Sequence, residues 1–579
     1  MSEDRTNTER DRLVLALYEQ VIEVEQRLIP TGLHVFGRQE SEAQIADLLR
    51  MIASFDRPEY EARALPDLIA AGLGLPDYQT LLKESAADES RMCERERVEA
   101  IMQEAIAQFL TVGSEQAAAL LADLAAVPIA ESLKVFALLE QIEERLKENN
   151  ELTALARALR GEYIEPGPGA DLIQNPDILP TGRNTYAVNP YHIPSPSAFN
   201  RAEAVAAALL ERHRREVGRY PETMAMVLWG LDNIKTQGDG VAQALWLLGV
   251  KPRRDNLNRA TEVEVIPLER LGRPRMDLVL TVSGIFRDLF GATMELLDKA
   301  VRRVAMLDEP GEMNFVKRHV SEAMAEGCTF DDAVIRIFSN AAGNYGTNVN
   351  FMVLDSQWEQ EQALGDLFVT RKCFAYGRDA RGRGLQGREA RALMERALER
   401  VEATYQNIDT TEIGITDVDH YFEYLGGVSK AVETRAGARP KIYLSDALAP
   451  GAKIRTLEET VRLETRTKTL NPKWYEGMLK HGFRGVAEIE HHVSNTFGWS
   501  ATADAVDNWI YDDVAKTYVL DEQMLERLRA LNPHSTRNLI GRLLEAEGRG
   551  FWAASEDVIE RLREVFAGLE DELEGVTVS

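Results

Sequence analysis

The sequence predicts a mixed α/β fold, with helical N-terminal and C-terminal regions around a mostly parallel strand–helix core. Three observations carry this. Apolar residues recur at helical spacing through the first 160 positions. Between residues 201 and 455, wholly apolar runs alternate with helical patterns, as in a parallel sheet buried on both faces. From about residue 456 the helical pattern returns. The 579 residues suffice for roughly three to four domains of about 150 residues each. They divide into a mainly helical region 1–160, an ordered connector 161–200, an α/β core 201–455 and a mainly helical region 456–579.

Residues 9–28 read as an amphipathic helix, with Val14, Leu17, Val21, Val24 and Leu28 on one stripe, ended by Pro30 and Gly32. Residues 161–200 are rich in Pro, Gly and Asn without a period. Tyr163, Tyr186, Tyr191 and Phe199 argue that this stretch is ordered. In the core, a helix over 201–216 precedes strand MAMVLWG (224–230) and helix VAQALWLLGV (241–250). VEVIPL (263–268), MDLVLTVSG (276–284) and KIYLSDAL (441–448) are further strands, and helices fill much of 286–305 and 312–326. IRIFSNAAGNYGTNVNFMVL (335–354) reads as a Gly/Asn-rich loop between apolar segments. The last helix is capped by Ser555, and Val558, Leu562, Val565, Leu569 and Leu573 form its stripe.

Lys plus Arg number 67 and Asp plus Glu 94, a net charge of −27. That balance argues against a chain built to coat nucleic acid or anionic lipid. An apolar fraction of 45% with 28% charged residues belongs to a globular protein with a sizeable core. No apolar run approaches the ~20 residues of a membrane span, and the charged start MSEDRTNTERDR is no secretory signal. Three scattered cysteines fit a reducing cytoplasm. The motifs GxxxxGKS/T, HExxH and GxSxG are absent, as is a GxGxxG between strand and helix.

Candidate chemistry therefore rests on polar residues at the ends of apolar elements. Glu25 falls on the edge of the first helical stripe, where a carboxylate needs a partner or a raised pKa. His34 follows the helix stop and reads as a satisfied loop histidine or a ligand. Asp232, Asn233 and Lys235 follow one strand and Arg287 another, the position where α/β sheets bind ligands, although capping and salt bridging also explain them. If residues 419–424 are helical, Asp419 and Glu423 share a face with His420 beside them. That patch can bind a hard cation or relay protons, or is a solvated acidic face before a Gly-Gly stop. Residues 471–500 are the most aromatic part, with Trp474, His492 and Trp499 serving as core or as walls for a flat ligand. The basic stretch Arg371, Lys372, Arg378, Arg381, Arg383 and Arg388 is a solvated loop or a greeting for ligand carboxylates.

Long strings sharpen this reading. LIPTGLHVFG (28–37), EPGPGADLIQNPDILPTGRN (165–184), VLWGLDNIKTQGDGVAQALWLLGVKP (227–252) and VSGIFRDLF (282–290) resemble the large, porphyrin-binding H subunit of magnesium chelatase. So do RIFSNAAGNYGTNVN (336–350), TDVDHYFEYLGG (416–427), LNPKWYEGMLKHG (470–482) and GWSATADAVDNWIY (498–511). The cobaltochelatase large subunit is in the same superfamily, while DNIKTQGDGVAQ with VDNWIY leans towards the magnesium enzyme.

The resemblance implies a subunit that binds protoporphyrin IX and inserts Mg²⁺, with ATP hydrolysed by two AAA+ partner subunits. It implies Glu25 as base or metal-delivering carboxylate with His34 beside it, and Asp419, His420 and Glu423 as a second polar wall. Glu25 and Glu423 are the candidate metal ligands. Asp232, Asn233, Lys235, Arg287, Asn344, Trp474, His492 and Trp499 are the candidate porphyrin contacts. Family members are much longer, with a large N-terminal region that has no counterpart here. This leaves room for a separate N-terminal half, a cobalt-inserting relative, or a non-catalytic porphyrin binder.

Overall fold

The computed structural model describes residues 32–575 apart from 86–87, 168, 170, 174, 186–188, 379–383, 385–386, 411 and 447–452, with positions 17, 18, 21, 24 and 29 before them. Two compact units emerge, one of residues 1–27 and 34–186, the other of 28–33 and 187–579.

The first unit is built from helices, among them Glu42–Ala53, Glu89–Val112, Ser114–Ala125 and Ile129–Lys147. Ser41 and Gln44 form a capping box that starts the first of these. Leu49, Val98, Leu121, Phe136 and Leu139 meet in one buried cluster, where Phe109 and Phe136 stack at 5.4 Å. Leu17 and Val21, expected on a buried stripe, are exposed. In the connector, Tyr163 and Tyr191 are also exposed, whereas Phe199 is partly buried and packs against the core.

The second unit centres on an eight-stranded sheet. Its strands are β1 (Thr223–Leu228), β2 (Asp277–Val282), β3 (Ile337–Ser339), β4 (Phe374–Tyr376), β5 (Arg388–Glu389), β6 (Ala403–Ile408), β7 (Lys441–Asp446) and β8 (Lys453–Thr456). The spatial order is β8-β7-β6-β1-β2-β3-β4-β5. The five central strands, β7 to β3, run parallel, and the three outer strands pair antiparallel. From β1 the chain moves to β2 and β3 on one side and later returns to β6 and β7 on the other. The order therefore reverses between β1 and β6, which is where such sheets open a crevice at their carboxyl ends.

Successive strand residues point to opposite faces. Ala225, Val227 and Val279 enter one core, packed on the helices Gln362–Lys372, Gly427–Ala436 and Phe483–Ala503. Met224, Met226, Leu278 and Leu280 enter the other, packed on Pro196–Val217, Asp239–Leu248, Gly291–Ala305 and Phe315–Ala325. Burial on both faces is why β1 and β2 read as continuous apolar runs.

Several details differ from the sequence expectations. The 263–268 strand is Ala260–Val265, which pairs antiparallel with Val250–Arg254 in a separate hairpin outside the sheet. Gly249, at φ 75°, ends the preceding helix and starts that hairpin. Gly426 and Gly427 do not stop a helix. They lie inside one, where a π turn (Phe422–Gly426) runs into Gly427–Ala436. Close packing explains the glycines: a Cβ on Gly426 would lie 2.2 Å from Thr502 Oγ1, and one on Gly427 2.6 Å from Phe368. Lys372 is no loop residue; it ends the Gln362–Lys372 helix and is fully buried.

Thr502 is itself fully buried and cannot retreat. Gly426→Ala should therefore destabilise the second unit by about 1–3 kcal/mol, read as a lower thermal unfolding midpoint. An unchanged midpoint would contradict the close packing.

Candidate functional site at the carboxyl ends of the sheet

Loops leaving β1, β2, β3 and β6 gather polar residues into three adjoining groups. The first is centred on Glu423, in the π turn, a geometry that recurs at functional sites. Its side chain is 1% exposed. One oxygen accepts from the Thr347 amide, from the Asn348 amide at 3.0 Å and from Thr347 Oγ1 at 3.1 Å. The other lies 2.8 Å from His420 Nδ1. Burial pushes the carboxyl up, but the His420 bond and the two amides outweigh it and hold Glu423 below its ordinary value. Glu423 in turn raises His420, whose ring is largely exposed. Asp419 accepts from Asn350 Nδ2 at 2.6 Å. A proton on Nδ1 facing the carboxylate leaves the Nε2 lone pair free. The arrangement orients the ring so that it can exchange a proton through Nε2. It matches the patch read from the sequence, except that Glu423 is buried rather than solvated.

The second group lies in the crevice between β1 and β6. Asp232 and Asn233 are buried, and Lys235 pairs with Asp409 at 2.9 Å. Asn233 is consumed by structure, donating to the Trp229 carbonyl at 2.7 Å and accepting from the Val241 amide at 3.3 Å. Burial, then Asp409 and Asp239, push Asp232 well above the usual carboxylate range. Trp229 forms an aromatic wall here, 4.4 Å from the Tyr424 ring and 6.1 Å from Tyr421.

The third group joins Asp417 to His492 at 2.9 Å and to Lys468. Burial pushes its carboxyl up, but the contacts with His492 and Lys468 outweigh it and hold Asp417 well below its ordinary value. Trp474 packs edge-on against His492 at 4.4 Å, and Trp499 donates to the Ile415 carbonyl at 2.9 Å. Tyr421 feels both acidic groups: burial, then Asp409, Asp232, Glu464 and Asp417, raise its hydroxyl well above normal.

Arg287, buried after β2, donates to the carbonyls of Ala341 and Asn344, both at 2.8 Å, and so pins the loop after β3. The Asn344 side chain is exposed. Among the described residues, Asp232 Oδ1, Arg287 Nη2, Asn340 Oδ1, Asn350 Oδ1 and Gln406 Nε2 are buried without a hydrogen-bond partner. Such atoms are uncommon; others occur elsewhere among the described residues, His213 Nε2 being one. No three His, Cys, Asp or Glu side chains among the described residues converge to cage a metal ion. Glu25 lies outside the described residues. His34 belongs to the first unit, where its Nε2 is 3.0 Å from the Glu151 carboxylate. Sequence reasoning missed Asp409, Asp417, Lys468, Glu464 and Glu151. Asp409 follows a strand that the apolar pattern does not reveal, and Asp417 sits within the TDVD string already singled out.

The architecture is shared with part of a solved chelatase subunit. The solved catalytic subunit of cobaltochelatase from Mycobacterium tuberculosis superposes with a TM-score of 0.89 at 33% identity, over 97% of this chain and 47% of that one. The chain belongs to the CobN/magnesium chelatase family, whose model matches residues 1–559. It is 43% identical to the chloroplastic magnesium-chelatase subunit ChlH of Oryza sativa subsp. indica, over 98% of this chain and 43% of that protein. It is 38% identical to the magnesium-chelatase H subunit of Chlorobaculum parvum, over 97% of this chain and 45% of that one. The aerobic cobaltochelatase subunit CobN of a Sinorhizobium species is 35% identical over 72% of this chain and 34% of its own length. The chain thus spans less than half the length of these relatives. No described helix is long and apolar enough to cross a membrane.

His420 should titrate above its ordinary value of 6.5, followed by NMR of the labelled ring, and Glu423→Gln should return it towards that value. The sign fixes the stability effect. The His420 contribution is fully present below about pH 6.5 and is lost as pH rises through the raised folded value. An identical titration in the variant would contradict the pairing.

Proposed function

We propose that this chain carries the metal-inserting part of a magnesium chelatase H subunit, acting on protoporphyrin IX with ATP hydrolysed by two AAA+ partner subunits. The oriented Glu423–His420 pair at the carboxyl end of a chelatase-family sheet is the observation that carries this reading. Insertion breaks two pyrrole N–H bonds, forms metal–nitrogen bonds and releases two protons. A base is therefore required, and Mg²⁺, the substrate ion, gives up its water reluctantly. His420, neutral and with Nε2 free, takes a proton, while Glu423 fixes its tautomer and stabilises the charge that forms. Asp419 and Asp232 add oxygen donors of the kind that suit Mg²⁺. Glu25, on the segment before LIPTGLHVFG, is the second proposed carboxylate, as base or metal-delivering group, with His34 following it. A cytoplasmic setting belongs to the same proposal.

Cobalt insertion into a corrin precursor is the second reading, favoured by the likeness to the cobaltochelatase subunits. Reconstitution with both AAA+ partners and ATP should separate the two. Protoporphyrin IX should gain Mg²⁺, and a corrin precursor should not gain Co²⁺. The opposite pattern would overturn the magnesium assignment. Glu25→Ala should lower the insertion rate by about 10²-fold or more, the scale of a lost general base. A normal rate would remove Glu25 from the chemistry.

A further inference from the structure

Glu423 is held by a stretch that forms neither helix nor strand. Residues 340–348, NAAGNYGTN, leave β3 and present the Thr347 and Asn348 amides to the carboxylate. Ala342, Gly343, Asn344 and Tyr345 within it are exposed, so core packing does not fix the turn. Polar contacts from the neighbouring loop do. After β2, the short helix Gly284–Leu289, capped by Ser283, carries Arg287 and Asp288. Arg287 is buried, and its Nη1 donates to the carbonyls of Ala341 and Asn344, both at 2.8 Å, and of Asn340 at 3.3 Å. Asn340 adds a bond from Nδ2 to the Gly346 carbonyl at 2.6 Å.

Asp288 and Tyr345 close the loop from the solvent side. Arg287 Nε donates to one Asp288 oxygen at 2.8 Å, and the Tyr345 hydroxyl donates to the other. Arg287 first, and Tyr345 after it, outweigh the partial burial of Asp288 and hold its carboxyl below the ordinary value, so it stays an acceptor for both. The Tyr345 ring also covers the Arg287 guanidinium, which lies 5.2 Å from its centroid. Gly284 makes room for that ring, since a Cβ there would meet it at 2.3 Å. Only Gly346 separates Tyr345 from Thr347, whose amide Glu423 accepts from. The clasp therefore ends beside the Glu423 cradle.

We propose that Arg287, Asp288 and Tyr345 are positioning residues for metal insertion, their clasp holding residues 340–348 in the turn that seats Glu423 against His420. This rests on the metal-insertion reading and adds what keeps the base in place. The three residues act through Glu423 and need not touch the ring or the ion.

Insertion kinetics in the complete, ATP-driven assembly test this. Arg287→Gln should lower kcat by about 10–100-fold, the scale of a misplaced reacting group, with KM for protoporphyrin IX nearly unchanged. Arg287→Lys, which keeps donors for the carbonyls, should recover part of the loss. Tyr345→Phe and Gly284→Ala open only the exposed side of the clasp. Each should lower kcat by about fivefold, the worth of one hydrogen bond, without moving the melting midpoint. In a Glu423→Gln background, Arg287→Gln should add little further loss, because both changes strike the same unit. Unchanged kcat in Tyr345→Phe and Gly284→Ala, or a full further loss from Arg287→Gln on top of Glu423→Gln, overturns the positioning role and leaves the insertion reading intact. No insertion by wild type overturns both.

Discussion

Burying the Glu423 carboxylate is the constraint on which the site depends. A charge that is 1% exposed is tolerated only when its lone pairs are filled. Two backbone amides, one hydroxyl and one imidazole do so here. Meeting that demand dictates local structure on both sides. The chain after β3 must turn so that Thr347 and Asn348 present their amides, and Gly346, at φ 69°, leaves no Cβ to crowd the carboxylate 3.0 Å away. On the other side, a π turn brings Glu423 inward, and the Gly426–Gly427 pair lets that helix press against Thr502 and Phe368. Removing such a partner from a buried charge costs about 3–5 kcal/mol. The loop and the helix are therefore held to one geometry, and His420 is held with them.

The sheet supplies the frame. Parallel strands covered on both faces leave only their ends for chemistry, and the reversal of order between β1 and β6 opens the crevice where Asp232, Lys235 and Asp409 meet. Acidic groups on both sides of Tyr421 sit in different surroundings. Asp417 is held by His492 and Lys468, Asp409 pairs with Lys235, and Asp232 is driven well above the usual carboxylate range, by burial first and then by Asp409 and Asp239. Metal-insertion chemistry needs this kind of setting, with oxygen groups of graded basicity near an apolar wall.

Much of the fold is legible in the sequence because β1, β2 and β7 are apolar enough to stand out. The strand β6, ATYQNI, is not, because its polar residues bond inside the sheet end: Tyr405 to Gln243 and Asn407, and Gln406 to Trp229. Missing that strand hides Asp409 as a strand-end residue. Helical spacing correctly puts Asp419, His420 and Glu423 together, but spacing cannot report burial, and Glu423 reads as solvated. Lys372 misleads in the opposite way. A basic run looks like loop until Tyr424 and the end of β2 close over it. Asn344 is singled out for its side chain, whereas its carbonyl is the part held by Arg287. The role of Glu25 rests on family strings and remains a proposal.

In the proposed function, the buried charge of Glu423 sets the basicity of His420 for proton removal. The pH dependence of the insertion rate in the complete, ATP-driven assembly tests it most directly. Wild type should lose activity on the acid side with a midpoint above 6.5, the ordinary histidine value. Glu423→Gln should lower kcat and move that midpoint down, because the neutral amide no longer stabilises the imidazolium. The same midpoint and rate in both proteins would contradict the account.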